Sequence, residues 1–375
     1  MRKNILVPIL LACLTIHGEE PPKPVPGIWS HLEQRAESAL LTVCPLTGPF
    51  MVTTDLLRQR ASARNRAYTD DHLRDLDVAL MGDSLSSGFH ASSTLESIYE
   101  MRTVRSHNWF LDWDPSSNSV YSFFERLSPT IGVRATNHAR ASARVDGANY
   151  NNSVFHKALT KVEDLSEQVS DILSERELPN LLISWIGANN LNWLLDLRKD
   201  PRLVPRTHVQ ELPYMIEAAY EEQMWRLLDR GLDQEYPVAL MVFGLIDFPS
   251  YFQARDEAER LHAQNPELYP WIGRAYSAFE ALKPSYRPLT LEVWKETNRL
   301  LEAMVDRLNA RVASDPRFRG NVQVFFSPAL SELPIQVEDL NDQDAWHPSV
   351  TGANRIAETA LGAIHSPLEF LGLAG

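Results

Sequence analysis

The stretch "LDVALMGDSLSSG", Leu76 to Gly88, changes character at Gly82. Its first half is apolar and strand-like. Its second half is small, polar and flexible, and gathers Asp83, Ser84, Ser86 and Ser87 at the end of the strand. A plain strand-to-helix turn would use such residues as helix caps. The other reading is a serine presented as a nucleophile at the carboxyl edge of a sheet, where open α/β folds keep their sites.

Four more runs share the short, apolar, turn-bounded pattern of 76–82: "IGVRATN" (131–137), "NLLISWIG" (180–187), "PVALMVFG" (237–244) and "NVQVFFS" (321–327). Amphipathic segments separate them. Residues 156–173 place Leu159, Val162, Leu165, Val169 and Ile172 on one helical face, and 291–308 do the same with Val293, Trp294, Leu301, Met304 and Leu308. A final helix is expected over 349–364. Strands alternating with helices predict a three-layer α/β/α sandwich around a parallel sheet of about five strands. One domain over 76–370 is expected, and the long connections at 191–236 and 248–320 read as helical insertions serving as lids or side decorations.

The chain has 375 residues, 44% of them hydrophobic, enough for one large domain with elaborations. A formal charge of −13 speaks against a nucleic-acid partner, because phosphate binding needs a basic face. Arg2 and Lys3 ahead of the short apolar run Ile5–Leu14 read as an export signal covering 1–18, too short to span a bilayer. A cut near Gly18 would free the chain. "LLAC" at Cys13 is instead similar to a lipoprotein signal, although Leu11 is not the small residue that pattern favours. Residues 19–75 form an N-terminal extension that opens with the proline-rich spacer "EEPPKPVPG". Cys13 and Cys44 are the only cysteines, so neither a disulfide framework nor a cysteine metal site is expected. No metal-binding or nucleotide-binding motif occurs either, and no cofactor or metal is predicted.

A serine hydroxyl needs a base to take its proton, and the base needs an orienting group. "NDQDAWHPSVTG" offers Asp344 and His347, three residues apart and just before the last helix. That spacing lets a carboxylate accept from one imidazole nitrogen while the other faces the serine. Such pairs also arise by chance as helix caps. Developing negative charge needs donors. The Asn189 amide in "GANN" and backbone N–H groups near Ser142 in "HARASAR" stand at the ends of two predicted strands. Each alone is more often a turn signal; together, at strand ends and before the last helix, they favour a site.

Gly82-Asp83-Ser84-Leu85, Asn189 in "GANN" and Asp344-x-x-His347 resemble, in order, the blocks of the SGNH or GDSL hydrolases, a family of lipases and esterases. The resemblance implies Ser84 as nucleophile, His347 as general base and acid, and Asp344 as its orienter. It also implies an oxyanion hole made by the Ser84 N–H, the Ser142 N–H and the Asn189 side chain. The block layout is most similar to the phospholipase B type. Two positions depart from the family pattern: Ser142 stands where glycine is usual, and Asn190 where aspartate often follows the asparagine. The α/β-hydrolase elbow G-x-S-x-G does not fit, because Ser86 occupies its second glycine.

Other candidates have simpler readings. Asp342 reads as a solvated loop acid, Asp247 as a cap and His138 as a loop histidine; His90 could line the mouth of the site but has no orienter. Trp109, Phe110 and Trp113 read as core or lid, with an acyl-chain wall as the sharper alternative. Asn151 in "NNS" would be a glycosylation acceptor only in a eukaryotic secretory pathway. The expected substrate is an ester, chiefly a lipid acyl ester met at a membrane surface. Esters of short-chain or carbohydrate-linked acyl groups are the alternative, and a catalytically silent binding protein of the same fold is the alternative from another class. The sequence leaves oligomeric state open.

Overall fold

The computed structural model describes residues 66–68, 76–87, 109–110, 133–140, 143–145, 164–175, 177–195, 200–234, 236–273, 280–318 and 320–373. Six strands form one sheet: β1 (Arg66–Tyr68), β2 (Leu76–Gly82), β3 (Val133–Asn137), β4 (Leu181–Trp185), β5 (Val238–Phe243) and β6 (Val322–Ser327). Their order is β1-β3-β2-β4-β5-β6. Five run parallel, and β1 pairs antiparallel with β3 at the edge. β4 and β5 are buried along their whole length, as expected for near-continuous apolar strands covered on both faces.

The helices are the short α1 (Ser84–Ser87), α2 (Leu165–Leu173), α3 (Arg206–Gly231), α4 (Phe248–Gln264), α5 (Arg287–Ser314) and α6 (Val350–Phe370). α2 packs on β2 and α3, and α3 on α5. Along β6, Val322 packs towards Gly231 of α3, while Phe325 meets Phe370 of α6 edge-on with ring centroids 6.1 Å apart. Residues three apart on a strand point to opposite faces, so α3 and α6 cover opposite sides of the sheet. The sandwich has three layers.

Four details differ from the sequence reading. β1 falls inside the 19–75 extension, which therefore contributes an edge strand; a three-residue strand is too short for a periodic signal. α3 and α5, within the two long connections, are a structural layer rather than decoration. Buried Val209, Leu212, Ile216 and Leu227 of α3 and Val293, Leu301, Met304 and Leu308 of α5 join the core. Trp294 is only half-buried on that face. On α2, buried Leu165, Val169 and Ile172 are joined by the polar Gln168; Leu159 and Val162 lie outside the described residues.

The strand order places the site. From β2 the chain crosses to β3 on one side and then returns to β4 on the other, so the connections diverge at the carboxyl ends of β2 and β4. A crevice at such a switch point is where open α/β sheets bind ligands.

Candidate active site

β2 ends at Gly82, and Ser84 opens α1 immediately beyond it. Gly82 must be glycine: a Cβ there would stand 2.3 Å from Ser86 Cβ and 2.9 Å from the Trp185 carbonyl oxygen. Gln168 clamps the same residue, accepting from Gly82 N and donating to Gly82 O, both at 2.8 Å. Ser86 Oγ donates to Trp185 O at 3.0 Å, and Trp109 Nε1 donates to Leu85 O at 3.1 Å. Asn137 Nδ2 reaches Ser86 O at 3.0 Å. Ser84 itself is buried, with 5% of its surface exposed.

Asp83 ties this turn to the next. Its Oδ1 accepts from Leu85 N at 3.0 Å, and the N–H groups of Gly187 and Ala188 stand near enough to its carboxylate to favour its charge. Burial nevertheless pushes its pKa up to about 7, against the opposing pull of those N–H groups and of the His347 charge. Gly187, just past β4, has φ of +126°, and a Cβ there would lie 2.9 Å from Leu245. Only glycine turns the chain this way at no steric cost.

That turn carries Asn189 and Asn190. Asn189 Nδ2 donates to Ala143 O at 3.0 Å, and Asn190 Oδ1 accepts from Val145 N at 2.9 Å. The departure at Asn190 thus has a structural partner. An amide Nδ2 has two hydrogens, so Asn189 keeps one for a further acceptor. Ser142, next to Ala143, lies outside the described residues, as do His90, Trp113 and Asn151.

The loop before α6 brings Asp344 and His347 together. Asp344 Oδ2 meets His347 Nδ1 at 2.6 Å, while Oδ1 accepts from the backbone N–H of Trp346 at 2.9 Å and of His347 at 3.1 Å. Both side chains are buried. The carboxylate thus fixes one ring nitrogen, Nδ1, and with it the orientation of the ring. Ile246, just past β5, lines one cleft with Trp346 and another with Asp83 and Leu85, so the loop and the turn meet at the same edge of the sheet.

A family model described as GDSL-like Lipase/Acylhydrolase matches residues 78–360. The chain belongs to the GDSL-like lipase/acylhydrolase family. Ester hydrolysis is the activity class that membership supports, and the five-stranded parallel sheet with its helices agrees with the fold expected for such hydrolases. A search of curated protein sequences gave no match. Among solved structures the chain is similar to a Parabacteroides merdae protein whose name places it among GDSL-like lipases, at 13% identity and a TM-score of 0.30, over 80% of this chain and 97% of that one.

The remaining residues of this GDSL-like chain fall largely where simple readings put them. Asp342 is exposed. Asp247 stands at the N-cap of α4 without a side-chain cap bond. His138 extends β3 by donating its N–H to Leu80 O at 2.7 Å. Trp109 and Phe110 are core residues, and Trp109 packs edge-on against Trp185 with centroids 5.8 Å apart. Sequence reasoning named Asp83 only as a motif or capping residue, and missed Gln168, Tyr251 and Arg255. For Gln168 the available signal was a glutamine on an otherwise apolar helical face; for Arg255 there was none. Among the described residues no group of three His, Cys, Asp or Glu could hold a metal, and no helix is long and apolar enough to cross a membrane.

Proposed function

We propose that the protein is a serine esterase acting on lipid acyl esters through an acyl-enzyme. The observation that carries this is the buried 2.6 Å contact between Asp344 Oδ2 and His347 Nδ1, at the edge where the tightly packed turn holds Ser84. In this reading His347 Nε2 takes the Ser84 proton as the hydroxyl oxygen attacks the ester carbonyl. The carbonyl oxygen becomes an oxyanion, held by the Ser84 N–H, the remaining Asn189 hydrogen and the Ser142 N–H. His347 then protonates the leaving alcohol. Water, deprotonated in turn by His347, resolves the acyl-enzyme and restores the serine. No cofactor takes part.

The lipid preference rests on the phospholipase B-like order of the blocks. The N-terminal export signal supports action outside the cytoplasm, at or near a membrane surface. The test is an acyl chain-length series, from acetyl to long-chain esters and lysophospholipids, for the parent and for Ser84→Ala. Turnover rising with chain length and abolished by Ser84→Ala is expected. Preference for the shortest acyl group would replace the lipid reading with an acetyl esterase. Absence of Ser84-dependent turnover on any ester would leave a silent binding protein.

A further inference from the structure

Helix α4 reaches the Asp344–His347 loop from outside the sheet. Arg255, on α4, has no exposed surface. Its Nη1 donates to the carbonyl oxygens of Asp344 at 3.1 Å and Ala345 at 2.9 Å, and its Nη2 to Ile272 O at 2.6 Å. Tyr251, one helical turn earlier, donates its hydroxyl to Ala345 O at 2.9 Å and stands edge-on to Trp346 with ring centroids 5.0 Å apart. The backbone after α4 completes the contact: Tyr269 N donates to Asp342 O at 2.9 Å and Trp271 N to Gln343 O at 2.8 Å. Four consecutive carbonyls, 342 to 345, are therefore engaged by a single segment.

Backbone conformation marks the same place. Among the described residues, Tyr269 (φ 52°) and Ala345 (φ 51°) are the non-glycine residues with positive φ, and both lie in this contact. Residues other than glycine stay there only where their surroundings over-determine them, and such outliers gather at functional sites. Burying a guanidinium is also costly unless its donors are satisfied. Here it binds backbone on the loop between the acid and the histidine. Its Nε also lies 3.8 Å from Glu259 Oε1, one turn further along α4.

We propose that Arg255 is a positioning residue for the acid–base pair. Its guanidinium, together with the Tyr251 hydroxyl, holds the strained Asp344–Ala345 turn that aims the Asp344 carboxylate at His347 Nδ1. The inference deepens the esterase reading and rests on it for its catalytic consequence. Without the clamp the turn relaxes, Asp344 swings off the ring and His347 loses its orientation, while the fold and the substrate surface stay in place. Misplacement of a reacting group by about 1 Å costs on the order of 100-fold in rate.

The experiment compares the full chain with Arg255→Ala, Arg255→Lys and Tyr251→Phe. It reads kcat and KM on one ester and the far-downfield proton resonance of His347 Nδ1, assigned by its loss in His347→Ala. For Arg255→Ala we expect kcat to fall about 100-fold with KM nearly unchanged, the resonance to vanish and added guanidinium ion to restore part of both. Arg255→Lys should fall between Arg255→Ala and the parent, and Tyr251→Phe should lose only a few-fold in kcat. If Arg255→Ala does not fold, Tyr251→Phe, which removes one hydroxyl, carries the test. Folded variants that keep the parent kcat and an intact resonance would overturn the proposal. A parent without Ser84-dependent turnover would instead sink the esterase reading. The resonance would still decide the clamp, its survival in the folded variants counting against it.

Discussion

The turn at Ser84 is packed chiefly by residues of the sheet and of α2. A parallel strand leads into it, Gly82 lets Ser86 and Trp185 close over it, and Gln168, Asn137 and Trp109 occupy its backbone groups. The loop at Asp344–His347 lies between strand β6 and helix α6, closed only by an isolated bridge between Leu340 and Pro348 among the described residues. It is irregular, strained at Ala345, and held by polar side chains and backbone arriving from α4 and the residues after that helix. Placing a nucleophile at a sheet edge needs little more than a switch point and a glycine. Placing an acid and a base opposite it needs long-range polar contacts, and those leave a fainter trace in sequence.

The largest effect separating the two regions should come from Asp344→Asn. It keeps the shape of the loop but destroys the acceptor for His347 Nδ1–H, and kcat should fall on the order of 10,000-fold with the protein fully folded. A loss below about tenfold would mean that the loop orients His347 without its carboxylate.

The next sharpens the picture of the turn. Asp83 has its pKa raised from 3.8 to about 7 by burial. Between those values the unfolded chain has released this proton and the folded chain has not. Folding stability from this group therefore falls as pH rises across the window and levels off above it. The change is about 4 kcal/mol if the whole shift is expressed. Asp83→Asn removes the ionisation. The parent's stability relative to the variant, from urea unfolding at several pH values, should decline from about pH 4 to about pH 7 and then stay flat. A difference independent of pH would show that Asp83 is not so perturbed.

The smallest concerns Trp109. Trp109→Phe keeps the aromatic packing but leaves the buried Leu85 carbonyl without its indole donor, at 3.1 Å in the parent. Stability should drop by about 1–3 kcal/mol, read from the urea midpoint, with little change in KM. No loss would mean that this packing does not depend on the hydrogen bond.

These contrasts match what could be read from the residues alone. β2 was legible to its last residue, because an apolar run stops at a glycine and polar side chains come next. Asp344 and His347 were legible because their contact spans only three positions, so a local pattern carries it. β1 was not, since its register depends on the neighbouring β3 rather than on any pattern within its own three residues. Gln168 and Arg255 were hidden for a different reason. Each binds the main chain of a segment more than 80 residues away, and main-chain carbonyls and N–H groups have no residue identity to match. α3 and α5 were seen as helices, yet their place as a layer of the sandwich depends on the sheet order.

The central claim is that this packed turn presents Ser84 as an activated nucleophile. Fluorophosphonate labelling tests it most directly, on protein lacking residues 1–18 and on the Ser84→Ala variant of the same length. The account predicts rapid covalent labelling of the parent and none of the variant. A folded parent that stays unlabelled, or a variant that labels equally, would contradict it.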